Sequence, residues 1–362
     1  MYTIRIISYL AYAVLGVYMQ YRKLGNTDIE VSVIGLGTMT FGEQNNEKES
    51  HGQLTYAIEN GVNIIDTAEM YAIPPKKETQ GLTEKYIGSW IKKFRNRDKY
   101  MIATKISGPG MEYIRDGSRL SAVHIKKAID SSLERLNTDY IDLYQIHWPE
   151  RKSNYFGRLG YTQSDDIGIS IAETLEALNG AVKSGKIRNI GISNETPWGV
   201  MEYLKLSDMN QIKYPRIVSI QNPYNLLNRV YEVGLAEISY REKIGLLAYS
   251  PLGFGMLTGK YQEACPENSR LGLHGDWFTR YSNDKCKNAV TDYLAVAKKF
   301  QLSLTQLALA FVNTRPFVSS NIIGATTLTQ LKENIDSINI NLSPEIIEEI
   351  NKIHEQTPNP AP

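Results

Sequence analysis

The sequence predicts an α/β protein built as one (β/α)8 TIM barrel. From Val33 onward, short apolar runs alternate with longer amphipathic ones, which is how a parallel sheet with crossover helices reads. The apolar runs number eight, as a closed parallel barrel requires. Long polar segments follow the third, fourth and seventh runs, placing them on the C-terminal face where such barrels build their sites.

Taken in order, QYRKLGNTDIEVS (20–32) reads as a hairpin turning at Gly25-Asn26, which would plug the N-terminal mouth of the barrel. The strand candidates are VIGLGT (33–38), VNIIDT (62–67), YMIATK (100–105), IDLYQIH (141–147), IRNIGIS (187–193), IVSIQN (217–222), GLLAYS (245–250) and NIIGAT (321–326). Between them lie segments with apolar residues near a helical period, such as 121–136 and 169–185, the second ending on a glycine stop. A further helix is expected over 327–338, after the last strand. The segments 106–120, 148–168 and 251–283 exceed ordinary connections and read as functional loops. A doubly wound sheet is the alternative, but GLGTMTFG (35–42) lacks the G-x-G-x-x-G spacing of its phosphate turn.

Residues 19–362 form the expected single domain, and 1–18 an extension outside the fold. Residues 6–18 are uncharged, yet shorter than the roughly 20 residues a membrane span needs. MQYRKLG at Met19 reads as an alternative start, which weighs against a membrane role. With 40 basic and 39 acidic side chains the net charge is +1, giving no reason to expect nucleic acid or an anionic membrane as partner. Cys265 and Cys286, the two cysteines, have neither C-x-x-C spacing nor a neighbouring histidine; they read as reduced thiols of a cytoplasmic protein. The five histidines show no ligand spacing such as H-x-H, so no metal is expected and a metal-dependent hydrolase ranks far down. Oligomeric state, monomer or small homo-oligomer, stays open.

Asp66, Lys105 and His147 end the second, third and fourth apolar runs, and Tyr71 follows Asp66 by five residues. In a barrel these ends converge, and there a phenol can protonate a carbonyl oxygen. Free tyrosine, with a pKa of about 10, is a weak acid at neutral pH. An ammonium about 4 Å away would favour phenolate by up to roughly 4 kcal/mol at intermediate dielectric, which leads to the expectation that Lys105 lowers the Tyr71 pKa. Lys105 then needs Asp66 as counter-ion, and His147 aims the carbonyl. The plainer alternatives are that Asp66 caps a helix and Tyr71 only packs.

These residues and their surroundings, GLGTMTFG (35–42), NIIDTAEMY (63–71), TDYIDLYQIHWP (138–149), GKIRNIGISN (185–194) and LLAYSPLGFGMLTGKY (246–261), resemble the aldo-keto reductases. PPKKETQGLTE (74–84) and NPYNLLNR (222–229) are similar to the Tas-type branch in particular. The resemblance runs from about Met19 to the C-terminus and implies a (β/α)8 barrel using NADPH to reduce an aldehyde or ketone, with Asp66, Tyr71, Lys105 and His147 as its tetrad. It further implies that Ser193, Asn194 and Gln221 hold the nicotinamide carboxamide and that Tyr249 stacks on the ring. Thr38 joins the cofactor set; Ser250, Leu252 and Gly253 line the pyrophosphate, and Gly324, Thr326, Gln330, Glu333 and Asn334 the adenosine end. Gly324 and Gln330 stand where many members carry a lysine and an arginine for the 2′-phosphate; NADPH is still expected first, with NADH left open.

The same resemblance also admits a different class, a nucleotide-sensing accessory subunit that turns over slowly. The small-molecule carbonyl substrate is not legible. Met39, Met70, Trp148, Phe156 and Trp277 suggest an apolar, partly aromatic pocket, with Trp148 the best candidate for its wall.

Overall fold

A computed structural model describes residues 19–165 and 168–362; the extension expected over 1–18 lies outside the described residues. The chain opens with an antiparallel hairpin in which β1 (Tyr21–Lys23) pairs with β2 (Glu30–Ser32), Arg22 facing Val31. Its turn uses Gly25 at φ +59, and a Cβ there would collide with the carbonyl of Val218, so the turn lies flat against the barrel floor.

Eight parallel strands then close on themselves: β3 (Ile34–Gly37), β4 (Ile64–Asp66), β5 (Met101–Ile106), β6 (Ile141–Ile146), β7 (Ile187–Ser193), β8 (Ile217–Pro223), β9 (Gly245–Tyr249) and β10 (Val318–Ile323). β10 pairs with both β9 and β3, so the sheet has no free edge. Around it stand α1 (Glu47–Glu59), α2 (Leu82–Phe94), α3 (Ala122–Leu136), α4 (Ile171–Lys183), α5 (Pro197–Met209), α6 (Val230–Gly234), α7 (Ala236–Glu242), α8 (Arg270–His274), α9 (Asp284–Lys299), α10 (Leu304–Asn313), α11 (Leu328–Asp336) and α12 (Pro344–Gln356). The barrel expectation holds.

Strand alternation divides the core in two. Outward residues such as Ile102, Ile106, Tyr144 and Ile146 pack under the helices with Ile87, Ile125, Ile129 and Leu175. The inward residues Ile64, Met101, Leu143, Val218, Leu247 and Ile322 form a floor with Leu24 and Val31 of the hairpin. The hairpin therefore plugs the N-terminal mouth, as expected.

One expectation needs correction. The last strand spans Val318–Ile323 rather than 321–326. Its Ser319 and Ser320 hid it from an apolarity reading, yet their hydroxyls are satisfied by hairpin carbonyls, Lys23 O at 3.0 Å and Ser32 O at 2.8 Å. Gly324 to Thr326 instead leave the sheet as a loop, where Gln330 Oε1 accepts from the Thr326 amide at 2.9 Å. The long segment 251–283 holds a 3-10 turn (Gly253–Thr258) and α8. The glycine stop after α4 does hold: Gly185 sits at φ +77, and its N–H returns to Val182 O at 3.0 Å.

Candidate active site

The alternation that builds the floor also builds the site above it. In β5 the inward series is Met101, Ala103, Lys105; in β6 and just beyond it is Leu143, Gln145, His147; in β4 it is Ile64, Asp66. Further up, the apolar floor gives way to polar and ionisable side chains on the same face: Asp66, Lys105, and Gln145 followed by His147. β5 and β6 run in register with Lys105 beside Gln145. Tyr71 comes from the loop after β4, and its ring lies 5.7 Å from that of His147 at 75°. All four predicted tetrad residues are thus brought together.

Lys105 is fully buried, and its ammonium donates to Asp66 Oδ2 at 2.7 Å and to Thr67 O at 2.8 Å. The other Asp66 oxygen accepts from Gln221 Nε2 at 2.8 Å and Gln145 Nε2 at 3.3 Å. Burial pulls the Lys105 pKa down and Asp66 opposes that pull. The ammonium also lies 5.1 Å from the centre of the Tyr71 ring.

For Tyr71 the structure reverses the sign of the sequence expectation. Burial and the nearby Asp66 carboxylate push its pKa well above 10. Lys105 does not win because Asp66, bonded to the same ammonium, leaves the phenol facing a nearly neutral pair. The resting phenol is therefore protonated, as a proton donor must be. His147 is driven the other way: burial and then Lys105 hold it well below 6.5, so the imidazole is neutral. Its Nδ1 has no partner among the described residues.

A brace around the tetrad escaped the sequence reading. Glu69, two residues before Tyr71 and only 1% exposed, accepts the Ser107 amide at 2.7 Å; Ser107 stands two residues after Lys105. Arg115, in the loop after β5, grips the same carboxylate with both terminal nitrogens, one at 2.9 Å. A single acid in AEMY carried no signal, because its partner lies 46 residues away.

The residues expected at a cofactor hold one another in a chain. Gln221 O accepts from Ser193 Oγ at 2.6 Å, and Asn194 Nδ2 reaches Ser193 Oγ at 3.1 Å and His147 O at 2.9 Å. Tyr249 O–H donates to Asn194 Oδ1 at 2.6 Å, and burial pushes that phenol up to about 12. Thr38 Oγ1 donates to Asp66 O at 2.8 Å, fixing the strand end. Ser250 and Gly253 both take positive φ, 55 and 52, and the Gly253 amide closes on Ser250 O at 2.9 Å, with Leu252 between them half-buried. In the last loop, Gln330 caps Thr326, and Asn334 Nδ2 donates to Gly324 O at 3.0 Å; a Cβ on Gly324 would meet nothing within 4 Å. Glu333 is engaged elsewhere, accepting Ser303 Oγ at 2.9 Å. Beside the Gly253 turn, Arg270 lies 5.9 Å from the Phe254 ring and 5.3 Å from that of Phe278, with no carboxylate partner among the described residues. Burial pulls its pKa down. An uncompensated cation next to a glycine turn fits the phosphates of a dinucleotide.

The profile of the Aldo/keto reductase family matches residues 33–355. The chain belongs to the aldo/keto reductase family. It is 51% identical to Protein tas of Escherichia coli over 349 residues, covering 95% of this chain and 100% of that protein. An aldo-keto reductase of Babesia bovis is 38% identical, covering 71% of this chain and 96% of its own length. An uncharacterized oxidoreductase, YrpG of Bacillus subtilis, is 30% identical over 92% of this chain and 96% of its own. The chain is accordingly an oxidoreductase of the aldo-keto reductase type.

The mouth of this aldo/keto reductase barrel is apolar and partly aromatic. Met70 and Trp148 are 6% and 2% exposed and pack with Ala68 and Ile114, next to Tyr71, Met111 and Tyr155. Trp148 donates from Nε1 to Pro109 O at 3.0 Å, and its ring stands 5.0 Å from His147 and 5.7 Å from Phe156. Phe156 is the more open of the pair, at 46%. Met39 is half-buried, and its carbonyl accepts the Ile73 amide at 3.0 Å. Trp277 is 57% exposed and, with Pro74 and residues 271–276, lines a surface cleft of about 380 Å³. Among the described residues no helix is long and apolar enough to cross a membrane.

Proposed function

We propose that the chain reduces an aldehyde or ketone to the alcohol, with NADPH as its cofactor and Tyr71 as the proton donor. The cofactor, when bound, supplies a hydride for the carbonyl carbon. The observation that carries the reading is the convergence of Tyr71 with His147 and the buried Lys105–Asp66 pair, where burial favours the neutral phenol and the neutral imidazole.

The residues divide the work by charge. Tyr71 transfers its proton to the carbonyl oxygen as negative charge develops there. The phenolate that remains lies 5.1 Å from the Lys105 ammonium, measured to the ring centre. At an effective dielectric constant of about 20 that attraction is about 3 kcal/mol, partly offset by Asp66. Lys105 thus stabilises the phenolate left after the transfer, against the burial and the Asp66 charge that disfavour it. His147, being neutral, offers a hydrogen bond without competing as an acid. Arg270, and Lys260 beside Gly255, supply positive charge where Ser250, Leu252 and Gly253 would hold the pyrophosphate that NADPH and NADH share, and NADPH is placed first on the family resemblance. The two free thiols suit a cytoplasmic setting.

The test is a panel of aldehydes and ketones assayed with NADPH and with NADH. Turnover with NADPH is expected, and Tyr71→Phe should lower kcat by about 100-fold or more while the cofactor still binds. A Tyr71→Phe enzyme with full turnover on every active carbonyl would refute the assignment. Equal affinity for NADH would refute the cofactor preference. Tight cofactor binding with negligible turnover across the panel would favour an accessory subunit instead.

A further inference from the structure

The arginines of this fold are mostly neutralised. Arg115, Arg135, Arg151 and Arg229 each meet a glutamate. Arg280, half-buried in the segment after α8, meets none among the described residues. It stands beside the side chains of Tyr249 and Tyr281, with its guanidinium carbon 6.0 Å from the Tyr281 ring centre. Tyr249 stays a neutral phenol, so it orients the cation without cancelling its charge. A partly desolvated guanidinium with neutral neighbours is incompletely compensated.

Its place relative to the tetrad is specific. A Cβ on Gly157 would come within 2.7 Å of Arg280 Nε and 3.1 Å of Cγ, so the side chain crosses from the loop after β9 to the loop after β6. That second loop carries Phe156, 5.7 Å from Trp148, which is 5.0 Å from His147. On the other side, Tyr249 reaches Asn194, whose amide holds His147 O. Two independent routes therefore tie Arg280 to the wall that carries His147.

We propose that Arg280 recognises a carboxylate on the substrate, so that the preferred carbonyl compounds are those carrying an acid group across the pocket from the reacting carbon. This rests on the carbonyl reduction proposed above. The phosphates of the cofactor are the other possible source of negative charge. Arg270 stands at the Gly253 turn for those, whereas Arg280 borders Gly157 and the Tyr249 hydroxyl.

The experiment uses the full chain with NADPH and a matched pair of substrates, 4-carboxybenzaldehyde and its methyl ester. Wild type should prefer the acid. Arg280→Gln should lower the acid-to-ester ratio of kcat/KM by about 10- to 100-fold, the value of one charged hydrogen bond, and Arg280→Lys should recover part of it. An unchanged ratio overturns the proposal. A loss that appears instead in the NADPH Kd also overturns it and assigns the arginine to the cofactor. Calorimetric titration of benzoate and benzamide into the NADP+-loaded protein reads the same recognition without turnover. Benzoate binding that weakens about tenfold or more in Arg280→Gln or Arg280→Lys, with benzamide changing much less, supports the assignment even if no carbonyl is reduced. Equal binding of the two compounds to wild type refutes it. Arg280→Lys serves in both arms if Arg280→Gln does not fold.

Discussion

Lys105 Nζ bonds Asp66 Oδ2 across 2.7 Å in the barrel interior, where the two side chains are 0% and 4% exposed. Each charge is tolerable there only because of the other, and two glutamine amides complete the coordination of the carboxylate. Removing one partner should therefore cost more than removing both. Asp66→Asn is expected to destabilise the fold by about 3–5 kcal/mol, because it strands a buried ammonium. Asp66→Asn with Lys105→Met should recover part of that loss in urea unfolding, yet restore no turnover.

The titration of His147 sets an acid limit on stability. Its folded pKa is depressed well below 6.5, so above that value the imidazole is neutral in both states and contributes nothing differential. Below it, the unfolded chain takes up a proton that the folded chain refuses, and stability falls as pH drops. His147→Gln should flatten the decline in urea midpoint between about pH 6.5 and 5. An unaltered slope would show that His147 titrates normally in the fold.

The raised pKa of Tyr71 bears on rate. A phenol held well above 10 stays protonated throughout the neutral range. The kcat/KM for carbonyl reduction should then show no descending limb from this group below about pH 10. A limb near pH 8 that vanishes in Tyr71→Phe would contradict the burial argument.

Glu69 and Arg115 brace the loop that delivers Tyr71 against the end of β5. Arg115→Ala leaves a buried carboxylate with one backbone donor and should cost roughly 3 kcal/mol. Because the brace spans Tyr71 and Lys105 rather than the cofactor groove, kcat should fall about tenfold with little change in cofactor Kd. Equal losses in both would mark a purely structural role.

Gly108 packs edge-on against Trp148, and a Cβ there would collide with the indole. Gly108→Ala should displace Trp148 from His147, destabilise the fold by about 1–3 kcal/mol and raise KM for apolar carbonyls. Parallel denaturation and kinetic curves would separate the two effects.

The barrel and its tetrad were legible because they depend on short-range pattern. Period-two alternation in MIATK and IDLYQIH places Lys105 and His147 on the inward face whatever else the chain does. The apolar runs around them then oblige the strands to close. Where that pattern failed, the cause is visible: Ser319 and Ser320 are polar but buried, their hydroxyls answered by carbonyls of a hairpin almost 300 residues earlier.

Alternation and motif order along the chain were enough to settle the fold, the family and the identity of the four convergent side chains. Three-dimensional packing settled their charge states and supports. It turned the expected acidification of Tyr71 into the opposite shift, supplied Glu69 with Arg115, and left Arg270 and Arg280 without carboxylates among the described residues. The physical reason is one of range. Strand periodicity is a property of neighbouring residues, whereas a pKa or an ion pair depends on burial and on distances between segments that only the closed barrel makes adjacent.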